Sequence, residues 1–450
     1  MTAATAGSKG ELMSEEKRKE RGLFELYGQD PDRADELVFG RKAGTDRRGF
    51  LKGAGLAAMA AAVGAPIPFH RNFPAGLIPS ALADTTDAFV LDGKDGLVVL
   101  SDRPINAETP AHLLDDDITP NSRHFIRNNG LLPPMAEAMD AEGWTLTVDG
   151  EVDNPLTLTL DDLKRNFKPV KLGLQLECGG NGRSSFNPPA TGNQWTVGAI
   201  GNAEWTGVRY RDVLNAAGLR KSAMYTGHYG MDLHLSQDPS KVAISRGVPI
   251  SKALEEHSII AYEMNGVPIP KYNGFPVRIV CPGWPASTSQ KWLKRIWVRD
   301  VVHDGPKMTG DSYRVPRYPV APGQEVPEED FVIIESMPVK SLITSPAAGI
   351  ELTGRELAVR GHAWAGERSV KAVDLSIDFG RTWIRTALKR APNKYSWQTW
   401  TASVKFPQPG YYEIWARATD SEGDMQPFAV SWNPKGYLSN VMHRIHVTVA

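Results

Sequence analysis

Cysteine is scarce in this sequence. Only two occur among 450 residues, at 178 and 281. In an exported protein such a pair suggests one disulfide. The other reading is two small buried hydrophobes, and at this length a large core makes a disulfide unnecessary for stability. There is no Cys-x-x-Cys-His run, so no covalently attached c-type haem is expected. No apolar run reaches the 18 or so residues of a membrane span. Net charge is also small, −1 from 51 Lys+Arg against 52 Asp+Glu. Global charge therefore predicts no binding to nucleic acid or to an anionic membrane.

What is present is ordinary for globular protein: 41% hydrophobic and 23% charged residues, enough for two or three domains. Residues 1–46 are polar and charge-rich, as in Glu15-Glu16-Lys17-Arg18-Lys19-Glu20, and read as disordered or weakly helical. Arg47-Arg48-Gly49-Phe50-Leu51-Lys52 follows, then a Gly/Ala stretch to Val63 and a small-x-small site at Ala81-Leu82-Ala83. That order is the order of a twin-arginine export signal, with the mature chain starting near Asp84. The expected segments are a leader over 1–83, a first domain over 84–325 and a second over 326–450. Gly53-Ala54-Gly55-Leu56-Ala57-Ala58 fits a relaxed dinucleotide fingerprint. No strand precedes it, so that reading is rejected.

The stretch Leu172 to Asn187 organises the first domain. Leu172, Leu174 and Leu176 alternate with Gly173, Gln175 and Glu177 as a strand does. The pattern breaks at Cys178-Gly179-Gly180-Asn181-Gly182-Arg183, where glycines permit positive φ and close approach to a ligand. Elsewhere, Trp144–Val148 reads as a strand ending in an Asp149-Gly150 hairpin turn. Leu160–Phe167 reads as a helix capped by Asp161, and Tyr210–Leu219 as one stopped by Gly218. Ser258–Gly266 and Phe275–Trp284 read as buried strands, with Arg278 opposite Val277 and Ile279. Residues 84–134 read as loop-rich, and Arg317–Asp330 as a linker. Strands expected at 356–363, 370–377, 382–388, 399–406, 411–418 and 442–449 suggest an immunoglobulin-like sandwich. The fold class is α+β followed by all-β. On the last strand Arg444 and His446 share one face, so His443 and His446 diverge and do not form a metal pair.

Several ordered motifs resemble the sulfite-oxidase family of molybdenum enzymes: Phe125-Ile126-Arg127-Asn128, the Cys178–Arg183 turn, Ala261–Gly266, Phe275-Pro276-Val277-Arg278 and Lys291-Trp292-Leu293. Within that family, the long polar leader and Arg47-Arg48 are most similar to the sulfane-dehydrogenase branch of bacterial thiosulfate oxidation. The resemblance implies a sulfite-oxidase-type molybdopterin domain followed by an immunoglobulin-like dimerisation domain. It implies that Cys178 ligates molybdenum beside a pterin dithiolene, a role that suits a soft thiolate. It carries cofactor contacts onto Phe125, Arg127, Asn128, Asn129, Asp232, Asn273, Arg278, Ser289, Gln290 and Lys291. It carries an anion pocket onto Arg127, Arg183, Trp195, Tyr313 and Arg444. Guanidinium groups there would hold a sulfur oxyanion by charge-assisted hydrogen bonds. Cys281 has no such motif and is assigned to packing. Sulfite oxidases carry histidine where Asn129 and Asn273 stand, which separates this chain from strict sulfite specificity.

The implied function is periplasmic molybdenum-dependent oxidation of sulfane sulfur borne by a carrier protein's cysteine. A separate c-type cytochrome subunit takes the electrons, and the chain dimerises through its second domain. The alternatives are a free-sulfite dehydrogenase, a periplasmic molybdenum reductase of oxidised methionine, and a cofactor-free sandwich-type binding module.

Overall fold

The computed structural model describes residues 91–450. The twin arginines and the Ala81–Ala83 site lie outside the described residues. Among the described residues no helix is long and apolar enough to cross a membrane.

Two five-stranded sheets build the first half. One runs Val267–Pro268, Ile259–Met264, Ile200–Arg209, Pro169–Glu177, with Arg278–Val280 also paired to Ile259–Met264. The other runs Leu156–Thr159, Thr145–Gly150, Leu293–Arg299, Tyr225–Gly230, Gly247–Pro249. Their apolar faces meet around Leu146, Val208, Val213, Ile260, Ile279 and Ile296, all fully buried. Short helices close this core. Tyr210–Ala217 ends at Gly218, whose φ of 71° suits a residue without Cβ. Leu160–Asn166 is capped by Thr159 and not by Asp161. Thr159 accepts from the Asp162 amide, and the Asp162 carboxylate accepts from Thr159 N, a reciprocal box that Asp161, one residue inside the helix, cannot make.

The segment before Pro134, expected to be loop-rich, forms a three-stranded sheet of Val98–Asp102, Ile105–Glu108 and Ile126–Arg127. Its strands are too short to show alternation. The stretch expected as a linker is closed at its base, because Arg314–Pro316 pairs antiparallel with Phe331–Ile333.

The second half is a sandwich. A four-stranded sheet orders Lys340–Ser345, Glu356–Trp364, Gln398–Lys405 and Ala387–Leu388. A five-stranded sheet orders Ile350–Leu352, His443–Val449, Gly410–Asp420, Val370–Ser376 and Ile384–Arg385. The expected 382–388 strand is therefore two pieces on opposite sheets. Trp400, Val404, Ile414, Ala416 and Val447 fill the space between, each fully buried. The segment between Asp420 and His443 leaves the sandwich and returns to the first half. There Leu438 N donates to Gly179 O at 3.0 Å and Trp432 Nε1 to Pro188 O at 2.9 Å.

Candidate active site

Cys178 follows directly on the strand Pro169–Glu177, is 5% exposed, and is a free thiol, as is Cys281. No disulfide joins them. Cys281 is packed in the main core, where burial pushes its thiol up to about 12.

The glycines of the turn make room for protein more than for a ligand. A Cβ on Gly180 would stand 2.3 Å from Arg183 Nη2. Gly182 takes φ 90° and passes close to Ser439. Of the three, only Gly182 adopts positive φ. Arg183 is thereby held inside, donating Nε to Lys435 O at 2.7 Å and Nη1 to Asn193 O at 2.8 Å.

Two cavities meet at Cys178. The inner one is a concave pocket of mixed polar and apolar lining, as cofactor sites are. Phe125, Arg127, Asn129, Cys178, Asp232, Asn273, Arg278, Ser289, Gln290, Lys291 and Tyr313 all line it. The outer one opens beside it and shares Arg127, Asn129, Cys178 and Tyr313, adding Asn128, Arg183, Lys435 and Tyr437. Of the residues expected in the site, only Trp195 and Arg444 line neither cavity.

Hydrogen bonds fix the walls. Arg127 Nη2 donates to Asn129 Oδ1 at 3.0 Å and to Tyr313 Oη at 3.3 Å, and Asn129 Nδ2 reaches the same hydroxyl at 3.2 Å. Burial lowers the Arg127 guanidinium, but the neighbouring Tyr313, Cys178 and Tyr437 hold it above its usual range. Arg278 is held by the carbonyls of Asn273 at 2.7 Å and Ser289 at 2.9 Å. Lys291 Nζ bonds Asn128 Oδ1, and Tyr272 O at 2.8 Å. Lys94 Nζ, behind the wall, donates to Asn273 Oδ1 at 2.9 Å.

These cations are not neutralised. Asp232 is the one carboxylate lining the inner cavity, against Arg127, Arg278 and Lys291. Burial pulls the Arg278 guanidinium down to about 9, that of Arg246 to about 10 and the Lys94 ammonium to about 7, and holds Lys291 well below the usual lysine range. Burial likewise raises Asp232 to about 6, against the pull of Lys291. His124 Nε2 and Gln290 Oε1, both on residues lining this cavity, have no partner among the described residues. Uncompensated buried cations and orphaned polar atoms suit a polar, anionic guest. No group of three or more His, Cys, Asp or Glu among the described residues could hold a metal ion by itself. A metal at Cys178 therefore needs ligands from a cofactor, and a pterin carrying dithiolene sulfurs and a phosphate fits both requirements.

Two expectations are corrected. Trp195 is fully buried in the apolar cluster behind Cys178 and supports the pocket without facing it. Arg444 is exposed on the sandwich, 5.0 Å from the Phe428 ring centre and 5.8 Å from that of Trp415. The second half reaches the cleft through a different element, the loop carrying Lys435 and Tyr437. Tyr437 stacks on Tyr313 at 5.4 Å, with Arg183 over Tyr437 at 5.2 Å and Arg246 over Tyr313 at 4.7 Å. Sequence reading also missed His124, Ser287 and Arg246, which donates Nη1 to Ser287 Oγ at 3.0 Å. For Lys435 a signal existed: Asn433-Pro434-Lys435-Gly436 is a turn sequence between strands, with a cation at its tip.

The fold and this cleft define a molybdopterin-binding oxidoreductase. Residues 133–307 match the model of the oxidoreductase molybdopterin binding domain, and residues 331–450 that of the Mo-co oxidoreductase dimerisation domain. The chain is 34% identical to the sulfite oxidase of Gallus gallus over 378 residues, 81% of each chain. It is 35% identical to the mitochondrial sulfite oxidase of Homo sapiens over 391 residues, 82% of this chain and 69% of that one. The chain belongs to the sulfite-oxidase family, and its cofactor is Mo-molybdopterin. The solved sulfane dehydrogenase SoxCD from Paracoccus pantotrophus shares its fold, with TM-score 0.65 and 24% identity over 84% of this chain and 92% of that one.

Proposed function

We propose that this chain is the molybdenum subunit of a periplasmic sulfane dehydrogenase. Its substrate is sulfane sulfur on the cysteine of a carrier protein, and its acceptor is a c-type cytochrome subunit. The observation that carries this reading is the outer cavity. It opens to solvent beside Cys178, and its lining spreads from Arg103 and Thr191 to Lys435 and Tyr437. Arg103, Arg127, Arg183, Lys307 and Lys435 line it, with no carboxylate among the lining residues. Such a funnel suits an anionic sulfur group at the end of an extended arm.

When bound, the cofactor supplies a two-electron acceptor and the oxygen that passes to sulfur, and water makes that oxygen good with release of two protons. The chain's own groups do the rest. Arg127, Arg183 and Lys435 hold the charged sulfur group against Cys178 by charge-assisted hydrogen bonds. The Tyr313 hydroxyl, fixed by Arg127 and Asn129, would pass a proton or bond a substrate oxygen. Asn129 and Asn273 cannot titrate, so no imidazole at those positions imposes its own pH dependence. The twin-arginine leader expected from residues 47–52 supports export of the folded protein.

A second reading, a free-sulfite dehydrogenase, is favoured by the sulfite oxidases that share 34–35% identity with this chain. Membership of the family removes the cofactor-free binding module from consideration. Steady-state reduction of a c-type cytochrome separates the two enzymes. Higher kcat/KM with carrier-bound sulfane than with sulfite supports the proposal. Turnover of sulfite alone overturns it in favour of the second reading.

A further inference from the structure

We propose that Arg246 is a positioning residue for the reaction, tying the cofactor loop at Ser287 to the ring of Tyr313 and so aiming the Tyr313 hydroxyl into the cleft. The inference rests on the role read above for that hydroxyl. Fold stability does not call for Arg246. It is 1% exposed, and its Nε has no partner among the described residues. The groups that act most on its charge are Tyr313, Tyr225, Tyr437 and Arg314, none of them a carboxylate. A buried cation without an ion partner is costly to keep, which points to a use for it in the site.

The backbone of Arg246 is anchored. His228 N donates to Arg246 O at 2.7 Å, which fixes the residue beside the strand Tyr225–Gly230. From there the guanidinium reaches two elements. Nη1 donates to Ser287 Oγ at 3.0 Å, in the short helical turn Ala286–Thr288 that leads into Ser289, Gln290 and Lys291. Its Cζ lies 4.7 Å from the centre of the Tyr313 ring, a cation–π contact that gains strength where water is excluded.

Tyr313 needs such a hold. Its φ of 53° lies in the left-handed region, which a bulky residue rarely adopts. Such a backbone persists only where its surroundings impose it. Tyr437 stacks on the ring at 5.4 Å, and Arg127 and Asn129 bond the hydroxyl. Arg246 adds the link from that ring to the loop whose next three residues line the inner cavity.

Steady-state kinetics of the cofactor-loaded enzyme test this, with whichever of carrier-bound sulfane and sulfite turns over faster. Arg246→Met is expected to lower kcat by about tenfold or more while KM stays within about twofold, because Arg127, Arg183 and Lys435 still hold the anion. Ser287→Ala cuts the tether and keeps the charge, so it decides the matter should Arg246→Met fail to fold. It should lower kcat by about threefold. In a Tyr313→Phe background neither change should lower kcat further, because groups that act through one hydroxyl are not additive. A crystal structure of either variant, a readout independent of turnover, should show the Tyr313 hydroxyl displaced from Arg127 and Asn129. Wild-type kcat in the variants, with Tyr313→Phe impaired, overturns the proposal and leaves the role of Tyr313 standing. So does an equal loss in the Tyr313→Phe background, or a Tyr313 hydroxyl that has not moved. Wild-type kcat in Tyr313→Phe itself overturns the proposal together with the role read for Tyr313.

Discussion

Lys340 Nζ lies 2.6 Å from Glu177 Oε1, a buried ion pair that joins the second half of the chain to the residue preceding Cys178. The same carboxylate accepts from Asn181 Nδ2 at 3.0 Å and from Trp364 Nε1 at 2.8 Å. The sandwich thus holds the cysteine turn from behind. Lys340→Met leaves the Glu177 charge buried without its ion partner and should destabilise by about 3–5 kcal/mol. Urea unfolding reads the loss, and molybdenum content should fall with it. An unfolding free energy within about 0.5 kcal/mol of wild type, the range of a plain surface change, would show that the pair does not hold the turn.

Gly180→Ala tests how tightly Arg183 is held. The added Cβ meets the Arg183 guanidinium and not the backbone. Displacing it breaks the bonds to Lys435 O and Asn193 O of a buried side chain. The expected result is a loss of stability of about 1–3 kcal/mol together with kcat/KM lower by about tenfold or more. Unchanged kcat/KM would mean that Arg183 does not contact the substrate.

Lys435 and Arg444 make opposite predictions. Lys435 lines the outer cavity, paired at 3.0 Å with the half-exposed Asp311. Lys435→Glu should raise KM for an anionic sulfur substrate by about tenfold or more and flatten the salt dependence of kcat/KM. Arg444→Ala should leave both within about twofold, because a mutation far from the site adds no coupling. Equal effects of the two changes would restore Arg444 to the pocket.

The gap between Lys435 and Arg444 shows where sequence reading stops. Motifs whose residues sit together along the chain were legible: Cys178 of the glycine turn, Arg278 of the Phe275–Arg278 motif and the Ser289–Lys291 loop all line the inner cavity. Alternation also located most of the sandwich strands, because each buries one face. What failed was anything set by distant packing. That the sandwich reaches the cleft follows from its composition no more than which of its cations does so. Nothing in the local sequence ties Arg127 to Asn106, 21 residues earlier, which accepts from it. The glycines of the turn look like a ligand cradle until Arg183 and Ser439 are found filling the space.

Asp232 gives a pH signature. Its folded pKa, near 6, lies above the ordinary aspartate value, so the folded chain binds more protons than the unfolded one between about pH 4 and 6. Stability from this group therefore falls as pH rises through that window, by an amount on the order of 3 kcal/mol. Asp232→Asn removes the term. The difference in urea midpoint between variant and wild type should move in the variant's favour from pH 4 to pH 7. A difference independent of pH would mean that Asp232 is not buried as described.

The most direct test is X-ray absorption at the molybdenum edge on wild type and Cys178→Ser, with thermal unfolding as the fold control. The expected result is loss of one sulfur neighbour from the metal in the variant, with turnover abolished and the melting temperature close to wild type. An unchanged sulfur shell, or retained turnover, would contradict the assignment of Cys178 as the protein's ligand to the metal.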